Sequence, residues 1–221
     1  MARQAFDIDE AMTRVSEAVA PFPKAAMFEL AEQGYSTPFE QLVACMLSVR
    51  TRDEVSVVAA PRLFGVARTP AALAEMPVSE ISALIRDVTF GERKAGQIQE
   101  IARRVRDDFG GSLPCDDEVL QSMPGIGPKC SHLVLGVACG VATISVDVHV
   151  HRVTNRWGYV RASTPEKTMV ELEKVLPERY HIEINRLLVP FGKHICTGIR
   201  PKCSSCPVLE MCAQVGVTDH R

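Results

Sequence analysis

Four cysteines near the C-terminal end, Cys196, Cys203, Cys206 and Cys212, are separated by six, two and five residues. Four thiolates can therefore converge from one short loop, and four soft sulfur ligands suit either a cubane iron–sulfur cluster or zinc. Zinc ribbons usually present two Cys-x-x-Cys pairs. Here only Cys203 and Cys206 have that spacing, which tilts the set toward iron–sulfur; four buried thiols are the plainer alternative. A second pattern is Met123-Pro124-Gly125-Ile126-Gly127-Pro128-Lys129, set between a helical run from 118 to 123 and an apolar one from 132 to 139. Glycines let a backbone turn sharply and approach another molecule closely, Pro128 sits where a helix start needs no donor, and free amides at such a start hold phosphate. This is a helix-hairpin-helix pattern, although an ordinary helix–helix turn has the same outline. Taken alone, Lys129 reads as a phosphate-binding surface lysine.

The elements that must position these residues are helices. Thr37-Pro38, Thr69-Pro70 and Thr164-Pro165 place a capping oxygen before a proline at the first helical position, and Glu40 extends the first into a capping box. Behind it Phe39, Leu42, Val43, Met46 and Leu47 share one helical face, as do Ile98, Ile101, Val105 and Phe109 before Gly110-Gly111. The stretch 141–150 is ambiguous. Ile144, Val146, Val148 and Val150 alternate as in a half-buried strand, whereas Val146, Val150, Val153 and Trp157 fit a helix starting near Asp147, a strong cap.

At 221 residues, two modest lobes are favoured over one large domain. A net charge of -2 argues mildly against a nucleic-acid partner, yet a local basic face can serve, because steering depends on how charge is arranged. The apolar stretch 133–146 is too short and too interrupted to span a bilayer. The start of the chain, with Arg3, Asp7, Asp9 and Glu10, lacks a signal-peptide core. The expectation is an intracellular protein, monomeric, without a membrane partner. In that compartment cysteines are metal ligands or buried thiols sooner than disulfides, so the scattered Cys45, Cys115, Cys130 and Cys139 read as small buried hydrophobes.

The hairpin with its lysine, Val146-Asp147-Val148-His149 and the 6-2-5 cysteines stand in one order, and together they resemble the endonuclease III family of helix-hairpin-helix glycosylases from about Pro38 to Cys212. Gly127-Pro128-Lys129 followed by Ser131-His132-Leu133, and Glu183-Ile184-Asn185 before Phe191-Gly192, are closer to its eukaryotic-type branch. The resemblance implies an all-α protein of two lobes: a helical barrel over 31–140 with its hairpin at about 117–139, and a cluster lobe of 1–30 plus 141–221. It also resolves 147–157 as helix.

It further implies double-stranded DNA with damaged bases or abasic sites as partner and a 4Fe-4S cluster on the four C-terminal cysteines. The activity implied is removal of oxidised pyrimidines and cleavage of the abasic strand by β-elimination. Lys129 would be the nucleophile and Asp147 the catalytic carboxylate, a role compatible with helix capping. An attacking amine must be neutral, so the reading calls for burial of that lysine beside the positive end of its helix. Gly125 and Gly127, with Arg200 and Lys202 in the loop after the first cluster cysteine, would meet DNA phosphates. Arg50 departs from the family's usual glutamine, which fills the hole left by a flipped base; arginine could fill it too, or could be a solvated surface residue. His149 reads as a packing residue. The competing functions are a mismatch glycosylase without lyase activity, whose relatives lack the hairpin lysine, and a non-catalytic redox-sensing DNA-binding protein.

Overall fold

A computed structural model describes residues 6–221; Arg3 lies outside them. The described residues contain twelve α-helices and no strand: α1 Ile8–Val19, α2 Ala26–Glu32, α3 Pro38–Ser48, α4 Asp53–Phe64, α5 Pro70–Glu75, α6 Val78–Leu84, α7 Gly91–Asp108, α8 Asp117–Gln121, α9 Pro128–Cys139, α10 Val148–Trp157, α11 Pro165–Val175 and α12 Glu183–His194. None is long and apolar enough to cross a membrane. The all-α expectation holds, and the ambiguous stretch contains a helix: Asp147 caps α10, and Val146, Val150, Val153 and Trp157 are all buried.

All three Thr-Pro pairs start helices, with Thr37, Thr69 and Thr164 each accepting a bond from an amide three residues on. The box at α3 closes in both directions: Glu40 N–H donates to Thr37 Oγ1 over 3.2 Å, and Thr37 N–H to Glu40 Oε2 over 3.0 Å. Two orphan amides are thereby satisfied, a contribution of about 1 kcal/mol each way.

The chain divides into two compact units, Ala26–Thr143 and the segment up to Ala25 joined with Ile144–Arg221. In the first, α3 buries Phe39, Leu42, Val43, Met46 and Leu47 and packs on α4 and α9, while α7 lies against α5 and α6. Ile98, Ile101 and Val105 form the buried face of α7; Phe109, its C-cap, is only half-buried. In the second unit α12 packs on α1 and α10 around Trp157, Phe191, Ile184 and Met12. Full burial of each such side chain stabilises the unit by about 1.5–3 kcal/mol.

Cysteine usage corrects one expectation. Cys45 and Cys130 form a disulfide, and so do Cys115 and Cys139, with sequence separations of 85 and 24. These four residues are not isolated hydrophobes. Packing of α3 against α9 brings Cys45 to Cys130, and the hairpin brings Cys115, just before the α8 N-cap, to the end of α9. Neither approach is visible as a spacing.

Candidate functional site

The hairpin is built from α8, the 122–127 turn and α9. Asp116 caps α8 by accepting from Val119 N–H (2.9 Å), and Arg104 of α7 donates to the Ser122 carbonyl (2.7 Å), fixing where α8 ends. Asp117 ties the two helices together. Its carboxylate accepts from Ser131 Oγ of α9 and from Gln121 Nε2 (2.7 Å), with His132 Nε2 at 3.8 Å. Burial raises the Asp117 pKa, but the Ser131 and Gln121 bonds and the His132 charge outweigh it and hold the group below the usual carboxylate value.

Gly125 takes φ +79, a conformation that favours glycine, and a Cβ there would lie 2.7 Å from Gln97 Nε2, the end of a flexible side chain that can move aside. Gly127 differs. It is extended at the start of α9, and a Cβ there would meet nothing within 4 Å. Nothing inside the chain requires glycine at 127. Lys129, the second residue of α9, is exposed, and the next residue is the disulfide-bonded Cys130. The burial expected for its amine is not supplied by the fold. Helix side chains tilt toward the N-terminus, so a residue in the first turn overhangs the helix start instead of the core.

Asp147 is half-buried, and its Oδ1 accepts from His149 N–H (2.9 Å) and Val150 N–H (2.8 Å). His149 does pack: its ring nitrogen Nδ1 lies 3.1 Å from Arg152 Nη2, and a Cβ on Gly192 of α12 would meet the same ring at 2.8 Å. Arg50 is exposed with φ +55, in the four-residue link between α3 and α4.

Cys196, Cys203, Cys206 and Cys212 lie outside the two disulfides and line one pocket together with Trp157, Phe191 and Leu209. Burial, with further contributions from the other three sulfurs, pushes the Cys206 thiol up to about 12. Four thiols gathered in an apolar pocket are costly to ionise unless positive charge joins them, so the donor set fits a thiolate-ligated metal centre. Among the described residues no three His, Cys, Asp or Glu side chains close to the spacing of a single ion.

Two arginines on α10 hold the chain from Gly192 to Gly198, at the entry to the loop between the first two of these cysteines. Arg156 donates to the carbonyls of Thr197 (2.6 Å) and Gly198 (2.8 Å) and reaches Cys196 Sγ at 3.5 Å. Arg152 donates to the carbonyls of Cys196 (3.2 Å) and Gly192 (2.8 Å). Their four-residue spacing on one helix face was the available signal. In the same loop Lys202 is exposed, while Arg200, at φ +45, pairs with Asp219 at 2.9 Å. The predicted residues thus fall into two sets: Arg50, Gly125, Gly127 and Lys129 in the 26–143 unit, and Asp147, the four thiols, Arg200 and Lys202 in the other.

Residues 43–178 match the HhH-GPD superfamily, described as base excision DNA repair proteins. Endonuclease III of Thermotoga maritima is 39% identical over 175 residues, covering 79% of this chain and 82% of that protein. Endonuclease III of Escherichia coli strain K12 is 33% identical over 181 residues, covering 82% and 86%. A solved structure of a trapped endonuclease III–DNA covalent intermediate, an estranged-adenine complex, superposes with a TM-score of 0.75 at 33% identity, covering 80% of this chain and 84% of that one.

Proposed function

The chain belongs to the HhH-GPD superfamily of base excision DNA repair proteins, alongside the endonuclease III enzymes, and from that premise we propose a bifunctional glycosylase and abasic-site lyase acting on oxidised pyrimidines in duplex DNA. The observation that carries it is Lys129, an exposed amine in the first turn of α9, immediately after the Gly125–Gly127 turn. A relative of the same fold was trapped as a covalent DNA intermediate. In this chain Lys129 occupies the hairpin position whose amine would form such a bond.

The reaction begins with extrusion of the damaged nucleotide, which costs a few kcal/mol and least for a base already poorly stacked. As the C1′–N bond breaks, its electron pair leaves with the base and positive character develops on the sugar; an ionised Asp147 stabilises it. The Lys129 nitrogen donates its lone pair to C1′, and ring opening gives a Schiff base. Loss of a C2′ proton then expels the 3′ phosphate by β-elimination. Hydrolysis of the imine returns the free amine. Since the fold leaves Lys129 exposed, the bound DNA itself must exclude water from that amine.

Backbone amides at the start of α9 hold a phosphate. The open space at Gly127 is where a DNA backbone approaches, since nothing in the chain fills it. Lys202 adds a phosphate contact, and Arg200 joins it by exchanging Asp219 for DNA. Arg50 fills the gap left by the extruded base and donates to the orphaned partner base. Cys196, Cys203, Cys206 and Cys212 would hold a 4Fe-4S cluster, which supplies a rigid cross-link for the basic loop. The test is a glycosylase assay over duplexes carrying single damaged bases. Release of oxidised pyrimidines followed by strand cleavage is expected, and release of undamaged adenine from mismatches without cleavage would contradict the proposal.

A further inference from the structure

The structure buries one lysine that the reaction above does not use. Lys94, in the first turn of α7, is 5% exposed. Its ammonium donates to the carbonyls of Leu47 (3.0 Å) and Val49 (2.7 Å) and to Thr51 Oγ1 (3.3 Å). Those acceptors bracket Arg50. Leu47 lies in the last turn of α3, Val49 is its C-cap, and Thr51 Oγ1 also accepts from Thr89 N–H at 3.3 Å. One amine therefore ties both sides of a link in which Arg50 takes φ +55.

A left-handed conformation at a non-glycine residue is strained and persists only where neighbouring contacts over-determine it. The cation also satisfies carbonyls left open at the end of α3, where the helix dipole favours positive charge. Burial opposes this, pushing the Lys94 amine down to about 8. A methionine would fill the same volume without that penalty. A buried cation here is consequently not explained by core packing; what it adds is the fixed backbone of the 49–51 link.

We infer that Lys94 is a positioning residue, holding Arg50 in the strained backbone conformation from which its side chain enters the duplex and reads the base opposite the lesion. The inference rests on the Arg50 reading given above, and a double-mutant cycle separates the two. Wild type, Arg50→Ala, Lys94→Met and the double variant are compared for kcat, KM and opposite-base preference on duplexes carrying one oxidised pyrimidine opposite each of the four bases. Arg50 makes its proposed contact only after the base has left the stack, so its loss should lower kcat about tenfold or more at nearly constant KM and flatten the preference. Lys94→Met should do the same, and the double variant should be no worse than Arg50→Ala within about twofold.

Multiplying effects, or an unchanged preference in Lys94→Met, overturn the inference while leaving Arg50 in place. No effect of Arg50→Ala withdraws the Arg50 reading and the inference together. Lys94→Met should remain trappable by borohydride on an abasic duplex; loss of trapping would make Lys94 the nucleophile and overturn its positioning role. Should Lys94→Met fail to fold, Thr51→Val removes one of the ammonium's three acceptors together with the Thr89 N–H bond, and it must shift the preference in the same direction by a smaller factor. An unshifted preference in Thr51→Val overturns the inference.

Discussion

The two units use the same residue in opposite ways. In the 26–143 unit four cysteines are paired, Cys45 with Cys130 and Cys115 with Cys139, so both ends of α9 are covalently fastened. In the other unit four cysteines remain thiols around one pocket, and their loop is pinned by Arg152 and Arg156 through carbonyl oxygens. The hairpin helix that carries Lys129 thus needs no metal to hold its shape. The basic loop with Arg200 and Lys202, by contrast, has hydrogen bonds and four thiols that no disulfide ties. Lys129, assigned to covalent chemistry, sits on the stapled element together with the phosphate contact at Gly125 and Gly127, whereas the basic phosphate contacts Arg200 and Lys202 sit beside the other four cysteines.

The largest effect that would sharpen this contrast is at Asp147. Asp147→Asn should slow base removal about a hundredfold or more, yet keep borohydride trapping on a preformed abasic site, where no base need leave. Asparagine still caps α10, so fold loss is not the expected cause. Equal loss in both assays would merge the two roles.

Next in size is the response to reductant. Closing loops of these lengths stabilises by about 3–5 kcal/mol each in the chain-entropy model, and each kcal/mol corresponds to roughly 2–4 °C for a chain of this size. Calorimetry with and without dithiothreitol should therefore show the melting of the hairpin-bearing unit fall by about 10 °C or more. An unchanged transition would remove the stapled half of the comparison. For the half without disulfides, metal analysis of protein purified without air should find about four irons per chain. Stoichiometric zinc would contradict the cluster.

Smaller effects follow at the surface. Lys202→Glu should weaken duplex binding about tenfold, alike for every sequence, and flatten the salt dependence. A loss confined to one sequence context would move Lys202 from phosphate to base contact. Asp117, whose folded pKa lies below its ordinary value, stabilises the hairpin above that ordinary value, and the contribution is lost as pH falls through the folded one. Acid titration of Asp117→Asn should accordingly lack part of the wild-type loss of stability below about pH 4.

Much of the contrast was legible in the sequence wherever the signal was local. The 6-2-5 spacing singled out the four C-terminal thiols, the glycines and proline marked the start of α9, and the Thr-Pro pairs marked three helix starts. Asp147 announced itself as a cap, although its valine alternation mimicked a strand. What escaped was tertiary. Cys45 and Cys130 are separated by 85 positions, and no pattern in either segment points to the other. Lys94 reads as one more polar residue on an amphipathic helix until the end of α3 is placed over it. The exposure of Lys129 also has no local signal, because a residue overhanging a helix start is covered only by whatever docks there.

The most direct test of the central claim is borohydride trapping on an abasic-site duplex, with peptide mapping of the adduct. Wild type should give one covalent species with the modification on Lys129. Lys129→Gln should give none and should not cleave the strand, while binding the duplex within about tenfold of wild type, since one lost phosphate neighbour costs roughly 1 kcal/mol. Trapping of Lys129→Gln at the wild-type rate, or an adduct mapped to another amine, would contradict the assignment.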